Sequence, residues 1–215
     1  MTPDGEGAIR DVEFGGHRIE FDDRVLEPRP WTLLQSSWAA HLAEEVPPGP
    51  MLELCAGVGQ IGLVAAVLSE RDLVAVDVDP VACGYARRNA ERAGWAVRTQ
   101  VRCASLEDAV GPDERFPIVL ADPPYVPTHA VDHHPDDPTT AIDGGPDGLR
   151  LVRSCLDTAA RALTDEGVVL LQLWGTGQLD DLEHLPAGLG VTEVREYDER
   201  RAVALLRRVN QGARG

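Results

Sequence analysis

Four consecutive residues, Asp122, Pro123, Pro124 and Tyr125, directly follow the apolar run FPIVLA and could together bind a planar amino group. Proline has a fixed φ angle and no N–H, so the proline carbonyls stay available as hydrogen-bond acceptors. The aspartate carboxylate also accepts hydrogen bonds, and the tyrosine offers a flat face and a hydroxyl. These residues therefore predict a slot in which Asp122 and the Pro123 carbonyl accept the N–H bonds of a substrate –NH2 group.

The alternative for the same four residues is a stiff turn around a buried tyrosine. Their place after a strand favours the binding slot, because open α/β sheets bind ligands outside the carboxyl ends of their strands.

A glycine-rich segment, GVGQIG from Gly57 to Gly62, matches the pattern GxGxxG, and Asp77 ends the next apolar run. Glycines let the backbone approach a ligand closely, and a carboxylate at a strand end accepts hydrogen bonds from ribose hydroxyls. The pattern predicts a ligand that contains adenosine, although the glycines could also serve only a tight turn. Asp79 competes with Asp77 for the ribose, but Asp79 followed by Pro80 suits the start of a helix.

Three features argue against a dinucleotide as the ligand of this loop. The loop begins only at Gly57, behind a predicted helix; the chain is too short for a separate substrate domain; and Glu53 stands four residues before Gly57. The form E-x-x-x-G-x-G resembles the first motif of the class I methyltransferases that use S-adenosylmethionine (SAM). The resemblance implies that the loop packs against the methionine part of SAM and that Asp77 binds the ribose. Methyl transfer from a sulfonium needs mainly alignment, which a rigid slot can supply.

Strands and helices alternate along most of the chain, which predicts a Rossmann-like α/β fold with a mostly parallel, doubly wound sheet. The predicted strands of this unit are 51–56, 72–78, 96–103, 117–121 and 167–174. The predicted helices are 31–46, 59–70, 79–94, 146–163 and 176–185. Two final strands, 190–197 and 202–209, lie too close for a crossover helix, so we expect an antiparallel pair at the C-terminal end. Residues 126–146 are predicted to be a long loop.

The length of 215 residues suits one methyltransferase domain, 1–215. Within it we predict a hairpin and helix lead-in at 1–46 and a SAM-binding catalytic core at 47–210. No apolar run reaches membrane-spanning length, the first residues have no apolar signal core, and the four cysteines form no CxxC pair. These features predict a cytoplasmic protein that does not enter a membrane.

The net charge of −16, with arginine as every one of the 20 basic residues, bears on the partners. A chain this acidic is repelled by phosphate backbones unless its arginines cluster, so nucleic acid is disfavoured. The segment HAVDHHPDDP, 129–138, offers histidines and aspartates without a defined metal-ligand spacing. We therefore predict no metal and interpret this segment as a solvated loop beside the acceptor slot.

Four segments in the same order resemble the HemK/PrmC protein-(glutamine-N5) methyltransferases. They are EFGGHRIEF at 13–21, VLEPRPWTLL at 25–34, the Asp122–Tyr125 slot and AIDGGPDGLRLVRSCL at 141–156. The resemblance implies SAM-dependent methylation of nitrogen, with a release-factor-like protein or a small molecule as acceptor. It also implies that Asp122, Pro123, Pro124 and Tyr125 are the catalytic residues. The cofactor-binding residues would be Thr32, Glu53, Cys55, Ala56, Gly57, Val58, Gly59, Asp77, Val78, Ser105, Leu106 and Asp122. Without the resemblance, Ser105 could equally cap a short helix.

The family usually has acidic residues around the threonine, where Trp31 and Leu33 stand here, and an aspartate at the position of Ser105. The chain departs from this pattern in two further respects. We interpret it as a short form without the N-terminal helical domain, and Asp122 stands where the family has asparagine. A neutral asparagine accepts from an amide –NH2 and donates to its carbonyl, whereas an ionised aspartate only accepts. Three other functions therefore stay open: a small-molecule methyltransferase, a nucleic-acid exocyclic-amine methyltransferase and a SAM-binding partner protein without catalysis. The sequence leaves the oligomeric state open.

Overall fold

The computed structural model describes residues 7–182 and 184–209. Its strands are β1 (Arg10–Phe14), β2 (His17–Phe21), β3 (Met51–Leu54), β4 (Leu73–Asp77), β5 (Thr99–Cys103), β6 (Phe116–Ala121), β7 (Leu163–Leu173), β8 (Leu189–Asp198) and β9 (Arg201–Arg208). Its helices are α1 (Leu33–Leu42), α2 (Gln60–Ser69), α3 (Pro80–Arg92), α4 (Thr139–Ile142), α5 (Arg150–Ala162) and α6 (Gly177–Asp181). Residues 1–6 and 210–215 of the predicted domain lie outside the described residues.

A seven-stranded sheet in the order β5-β4-β3-β6-β7-β9-β8 forms the centre of the fold. The first five of these strands run parallel to one another, and β9 lies antiparallel between β7 and β8. The predicted α/β fold with an antiparallel pair at the C-terminal end is confirmed. Because the order reverses between β3 and β6, the carboxyl ends of these two strands form the crevice in which such sheets bind ligands.

Helices cover both faces of the sheet, and this explains the continuous apolar runs of its central strands. Every residue of β3 and of β6 is buried. Met51 packs into the core on the side of α1 and α2, whereas its neighbour Leu52 packs into the core on the side of α5. Strands buried on both faces do not alternate in polarity, which is typical of parallel sheets.

Helix α1 fixes the end of β6 through one buried side chain. Gln35 is fully buried, and its Nε2 donates to the carbonyl oxygens of Ala121 at 3.1 Å and Leu170 at 2.9 Å. Ala121 is the residue directly before Asp122. The predicted catalytic segment therefore begins at a point that α1, β6 and β7 hold together.

Several element boundaries differ from the prediction. The predicted strand 96–103 begins with the 3-10 turn Ala96–Arg98 and becomes a strand only at Thr99. Strand β7 begins at Leu163, directly after α5, although the prediction began it at 167. Pairing of Leu163 with Phe116 of β6 extends this strand, and such a partner is not visible in a local pattern.

The predicted loop 126–146 is not structureless, because it contains a 3-10 turn, Thr128–His133, and the short helix α4. Each begins after a proline, Pro127 or Pro138, whose fixed φ suits the start of a helical turn. The predicted helix 176–185 is shorter, with α6 covering Gly177–Asp181, and residue 183 lies outside the described residues. Within the part of the chain that the structure describes, no helix has the length and apolar character needed to cross a membrane.

Candidate active site

The glycine loop connects β3 to α2 through left-handed backbone at Cys55, Gly57 and Gly59, with φ angles of 56°, 54° and 81°. A Cβ added to Gly57 would meet no atom within 4 Å, so this backbone faces open space. A Cβ on Gly59 would lie 3.1 Å from the Cβ of Ala86, which shows that Gly59 packs against α3 instead. The two glycines therefore serve different purposes, close approach at Gly57 and helix packing at Gly59.

Asp77, the last residue of β4, points its carboxylate at this loop. Its Oδ2 accepts the Gly57 N–H at 2.7 Å, and its Oδ1 accepts the Asp79 N–H at 2.9 Å. Burial raises the pKa of Asp77, and the two backbone hydrogen bonds oppose that shift. Asp79 caps α3 by accepting the Val81 N–H at 2.8 Å, as the sequence predicted.

Glu53 lies behind the loop and supports it. The side chain is buried, and its Oε1 accepts the Gly62 N–H at 2.9 Å. Burial raises the pKa of Glu53 to about 8, and the charges of Asp122 and Asp77 act in the same direction. Neither Glu53 nor Gly59 lines the cavity in front of the loop. The other ten predicted cofactor residues do.

A first cavity of about 300 Å³ lies in front of the glycine loop at the carboxyl ends of β3, β4 and β6. The predicted residues that line it are Thr32, Cys55, Ala56, Gly57, Val58, Asp77, Val78, Ser105, Leu106 and Asp122. Ser105 also accepts the Asp108 N–H at 3.4 Å, so it closes a turn as well as lining the cavity, and that turn does not continue into a helix. Apolar walls with a few polar groups are the usual character of a cofactor site.

Two arginines that the sequence analysis did not assign also line this first cavity. Arg24 is paired with the buried carboxylate of Asp22, which the hydroxyl of Tyr85 also contacts at 2.7 Å. Arg29 is paired with Asp137, a residue of the loop after Tyr125. Arg29 lies in the segment VLEPRPWTLL, yet only the folded chain shows that its partner comes from so far along the sequence.

A second cavity of about 370 Å³ adjoins the first, and all four predicted catalytic residues line it. Residues shared by the two cavities are Leu26, Arg29, Thr32, Asp122, Pro124 and Ala141. Asp122 and Pro124 thus stand where the two spaces meet. A group in the second cavity can therefore reach a ligand in the first beside the Asp122 side chain.

The carboxyl group of Asp122 has an unusual environment. Burial raises the pKa of Asp122 to about 7, and no donor among the described residues offsets this rise with a hydrogen bond. The nearby carboxyls of Glu53 and Asp77 are also acidic groups with raised pKa values. Near pH 7 the protonated and ionised forms of Asp122 are therefore both populated.

Tyr125 is held by its backbone and by a neighbouring aromatic ring. Its carbonyl accepts the Gln178 Nε2 at 3.0 Å, while Gln178 Oε1 accepts the Trp174 N–H at 2.8 Å. The rings of Tyr125 and Trp174 are 6.2 Å apart with a tilt of 58°. Burial raises the pKa of Tyr125, and the Asp122 charge adds to this, so the phenol stays neutral. The tyrosine can serve as a rigid aromatic wall.

Residues from four distant parts of the chain also line the second cavity, and the sequence analysis gave none of them a role in catalysis or cofactor binding. They are Trp31, the loop residues His133, His134, Pro135, Asp136, Asp137 and Ile142, then Trp174, and finally Arg200 and Arg201. The predicted border between the 126–146 loop and the acceptor slot is thus present in the structure. Among the described residues, no group of three or more histidines, cysteines or acidic residues is placed to hold a metal ion.

The fold of the chain has counterparts among solved structures. The structure of ribosomal protein L11 methylase from Lactobacillus delbrueckii subsp. bulgaricus superposes with a TM-score of 0.65. The two chains are 16% identical, and the superposition covers 88% of this chain and 84% of that chain. At this identity the likeness concerns the fold alone. The chain has the Rossmann-like fold of the class I methyltransferases.

Comparison of sequences finds a more specific group of relatives than comparison of folds. The release factor glutamine methyltransferase of Deinococcus radiodurans is 34% identical over 175 residues, which are 76% of this chain and 59% of that protein. The ribosomal protein uL3 glutamine methyltransferase of Burkholderia pseudomallei is 29% identical over 177 residues, with coverages of 76% and 58%. A family model described as Conserved hypothetical protein 95 matches residues 34–134. The chain resembles the protein glutamine methyltransferases and spans less than two thirds of the length of these relatives.

Proposed function

We propose that the chain is a SAM-dependent N-methyltransferase that acts on a glutamine side chain of a protein. The observation that carries this proposal is the meeting of two cavities at Asp122 and Pro124. The relatives named above act on release factor or on ribosomal protein uL3, and both are protein glutamine methyltransferases. A methyl donor in the first cavity and a glutamine amide in the second would meet beside Asp122.

The residues of the first cavity fit SAM. Asp77 places a carboxylate at the end of β4, where it can accept hydrogen bonds from ribose hydroxyls, and Gly57 exposes backbone without a side chain in the way. Ser105 and Leu106 offer a polar and an apolar group to the adenine, and Arg24 or Arg29 a cation to the carboxylate of the methionine part. When bound, SAM would supply an electrophilic methyl group on a sulfonium.

The residues of the second cavity orient the acceptor nitrogen. No donor within residues 7–182 or 184–209 hydrogen-bonds to the Pro123 carbonyl, so this oxygen can accept one N–H of the amide. Tyr125 and Trp174 supply aromatic walls for the planar carboxamide. Because methyl transfer needs the nitrogen lone pair aligned with the methyl group, such positioning can supply much of the rate.

Asp122 can serve a glutamine amide when its carboxyl group is protonated. A neutral carboxylic acid has one O–H donor and one carbonyl acceptor, the same pair that an asparagine side chain offers. The acid can therefore accept from the amide –NH2 and donate to the amide carbonyl. An environment that keeps this carboxyl partly neutral near pH 7 removes the objection to aspartate at this position.

The test is incubation of the purified protein with methyl-labelled SAM and a fractionated bacterial extract. Label in a protein that mass spectrometry locates on glutamine Nε supports the proposal. Label in nucleic acid or in the small-molecule pool would contradict the glutamine substrate and assign a different acceptor. Binding of SAM in a calorimeter without any label would favour the non-catalytic alternative, and tight NAD binding without SAM binding would overturn the cofactor.

A further inference from the structure

The turn between β8 and β9 closes one side of the second cavity. Arg200 and Arg201 lie at this turn and line the cavity together with Asp122 and Tyr125. The antiparallel placement of β9 beside β7 brings the turn to the carboxyl end of β7, next to Trp174. The C-terminal strand pair therefore reaches the proposed acceptor site.

The turn has a defined position. The Arg200 N–H donates to Asp198 Oδ1 at 2.9 Å. At Gly175, whose φ is +77°, an added Cβ would lie 2.9 Å from the Glu199 carbonyl oxygen and 3.6 Å from the Arg200 Cα. The backbone of the turn thus packs directly on the backbone that follows Trp174.

Of the three arginines that line the second cavity, two already have partners. Arg29 pairs with Asp137. Arg201 pairs with Asp198 at 3.2 Å, and its guanidinium lies 3.6 Å from the centroid of the Trp31 ring. No hydrogen bond or ion pair joins the guanidinium of Arg200 to any residue of 7–182 or 184–209. Arg200 is an exposed cation on a fixed turn at the rim of the acceptor cavity.

The net charge of the molecule bears on which ligand Arg200 could bind. The chain carries a net charge of −16, which repels an acidic ligand from most of the surface. A guanidinium forms two parallel hydrogen bonds with a carboxylate, so a free arginine at a binding site favours an acidic partner. Two acids outside the ion pairs of these arginines, Asp122 and Asp136, also line the cavity, and each disfavours a ligand carboxylate on its own side.

We propose that Arg200 binds a carboxylate of the acceptor, so that the preferred substrate is a glutamine flanked by an acidic residue in the peptide chain. This inference rests on the proposed function and specifies its substrate class. Arg200 does not touch the reacting atoms in this scheme; it selects and positions the peptide. Its effect should therefore appear in KM, with kcat little changed.

The test compares three peptides that differ only beside the glutamine: Asp-Gln-Asp, Ala-Gln-Ala and Lys-Gln-Lys. For the unmodified enzyme we expect kcat/KM to be about threefold to tenfold higher for the acidic peptide than for the neutral one, the scale of a rim charge pair. Arg200→Glu should reverse the order and favour the lysine peptide. Arg87→Glu makes the same change of charge at an exposed site, where the guanidinium donates, within the described part of the chain, only to the Val101 carbonyl. This variant should keep the original order of the peptides.

Equal kcat/KM for the acidic and lysine peptides, or an unchanged order in Arg200→Glu, would overturn the inference while leaving glutamine methylation intact. Circular dichroism melting of each variant verifies that the substitution leaves the fold in place. If no peptide is methylated, the proposed function is in error. Fluorescence anisotropy with fluorescently labelled versions of the same peptides then still tests whether Arg200 favours an acidic peptide. Equal affinity of the acidic and lysine peptides would then refute it.

Discussion

The Asp77 carboxylate accepts a hydrogen bond from the backbone N–H of Gly57 at 2.7 Å and so joins the end of β4 to the glycine loop of β3. The same side chain faces the first cavity. One acid therefore shapes the loop and is available to a ribose. Asp79, two residues later, also lines the cavity, but one of its carboxylate oxygens accepts the Val81 N–H at the start of α3.

Replacing Asp77 with alanine should weaken SAM binding about 10-fold to 100-fold, because a charged hydrogen-bond acceptor and the support of Gly57 are lost together. Isothermal titration calorimetry measures the change. Asp79→Ala is the matched comparison, and we expect it to lower the free energy of unfolding by about 1 kcal/mol through the lost cap. A larger loss of SAM affinity in Asp79→Ala than in Asp77→Ala would transfer the ribose role to Asp79.

The protonation of Asp122 predicts a pH dependence. Its pKa of about 7 is raised by burial, so the neutral acid that a glutamine amide requires is present below pH 7 and is lost above it. We expect kcat/KM for a glutamine peptide to fall about tenfold per pH unit well above that pKa. Asp122→Asn presents the same donor and acceptor at every pH and should give a flat profile between pH 6 and 9.

Two results would contradict this account of Asp122. One is an asparagine variant whose kcat/KM declines above pH 7 as steeply as that of the unmodified enzyme. The other is a wild-type rate that rises with pH in the same range, since this would show that the ionised carboxylate is the active form.

Glu53 predicts a pH dependence of stability. Its pKa is about 8 in the folded chain because of burial, above its usual value near 4.5. Between these two values the folded state holds a proton that the unfolded state has released, so stability falls as pH rises, by at most about 1.4 kcal/mol per pH unit. Glu53→Gln should remove this contribution while an amide oxygen still accepts from Gly62. Urea unfolding at pH 5 and pH 8 measures it, and an equal pH effect in both proteins would refute it.

Gly62 is predicted to be intolerant of a side chain. A Cβ there would lie 2.4 Å from Glu53 Oε2 and 2.9 Å from Leu73 Cδ1, inside the core behind the glycine loop. Gly62→Ala should therefore lower the free energy of unfolding by about 1–3 kcal/mol. Gly84→Ala in α3, where a Cβ would meet nothing within 4 Å, should instead raise it by up to about 1 kcal/mol. Equal changes in the free energy of unfolding for the two substitutions would contradict this prediction, because they would show that the backbone near Gly62 shifts to accommodate the added methyl group.

Much of the candidate site was predictable because its residues are neighbours in sequence. The Asp122–Tyr125 slot is four consecutive residues, and Gly57 and Asp77 end adjacent strands. Boundaries were less accurate where tertiary pairing overrides local preference, as at β7, which pairing with β6 extends to Leu163. Glu53 does not line the first cavity and supports the loop from behind, a position that the sequence could not give, because a sequence pattern fixes spacing without the direction of a side chain.

The sequence by itself determined the alternation of strands and helices, the glycine loop, the cap at Asp79 and the acid before two prolines, since each depends on residues close along the chain. Only the tertiary structure placed β9 between β7 and β8 and brought Arg29 to Asp137 and Arg201 to Trp31. It also decided how far Asp122 is shielded from water and hence which protonation states it adopts. Such contacts depend on the packing of many distant side chains at once, and no short segment encodes that packing.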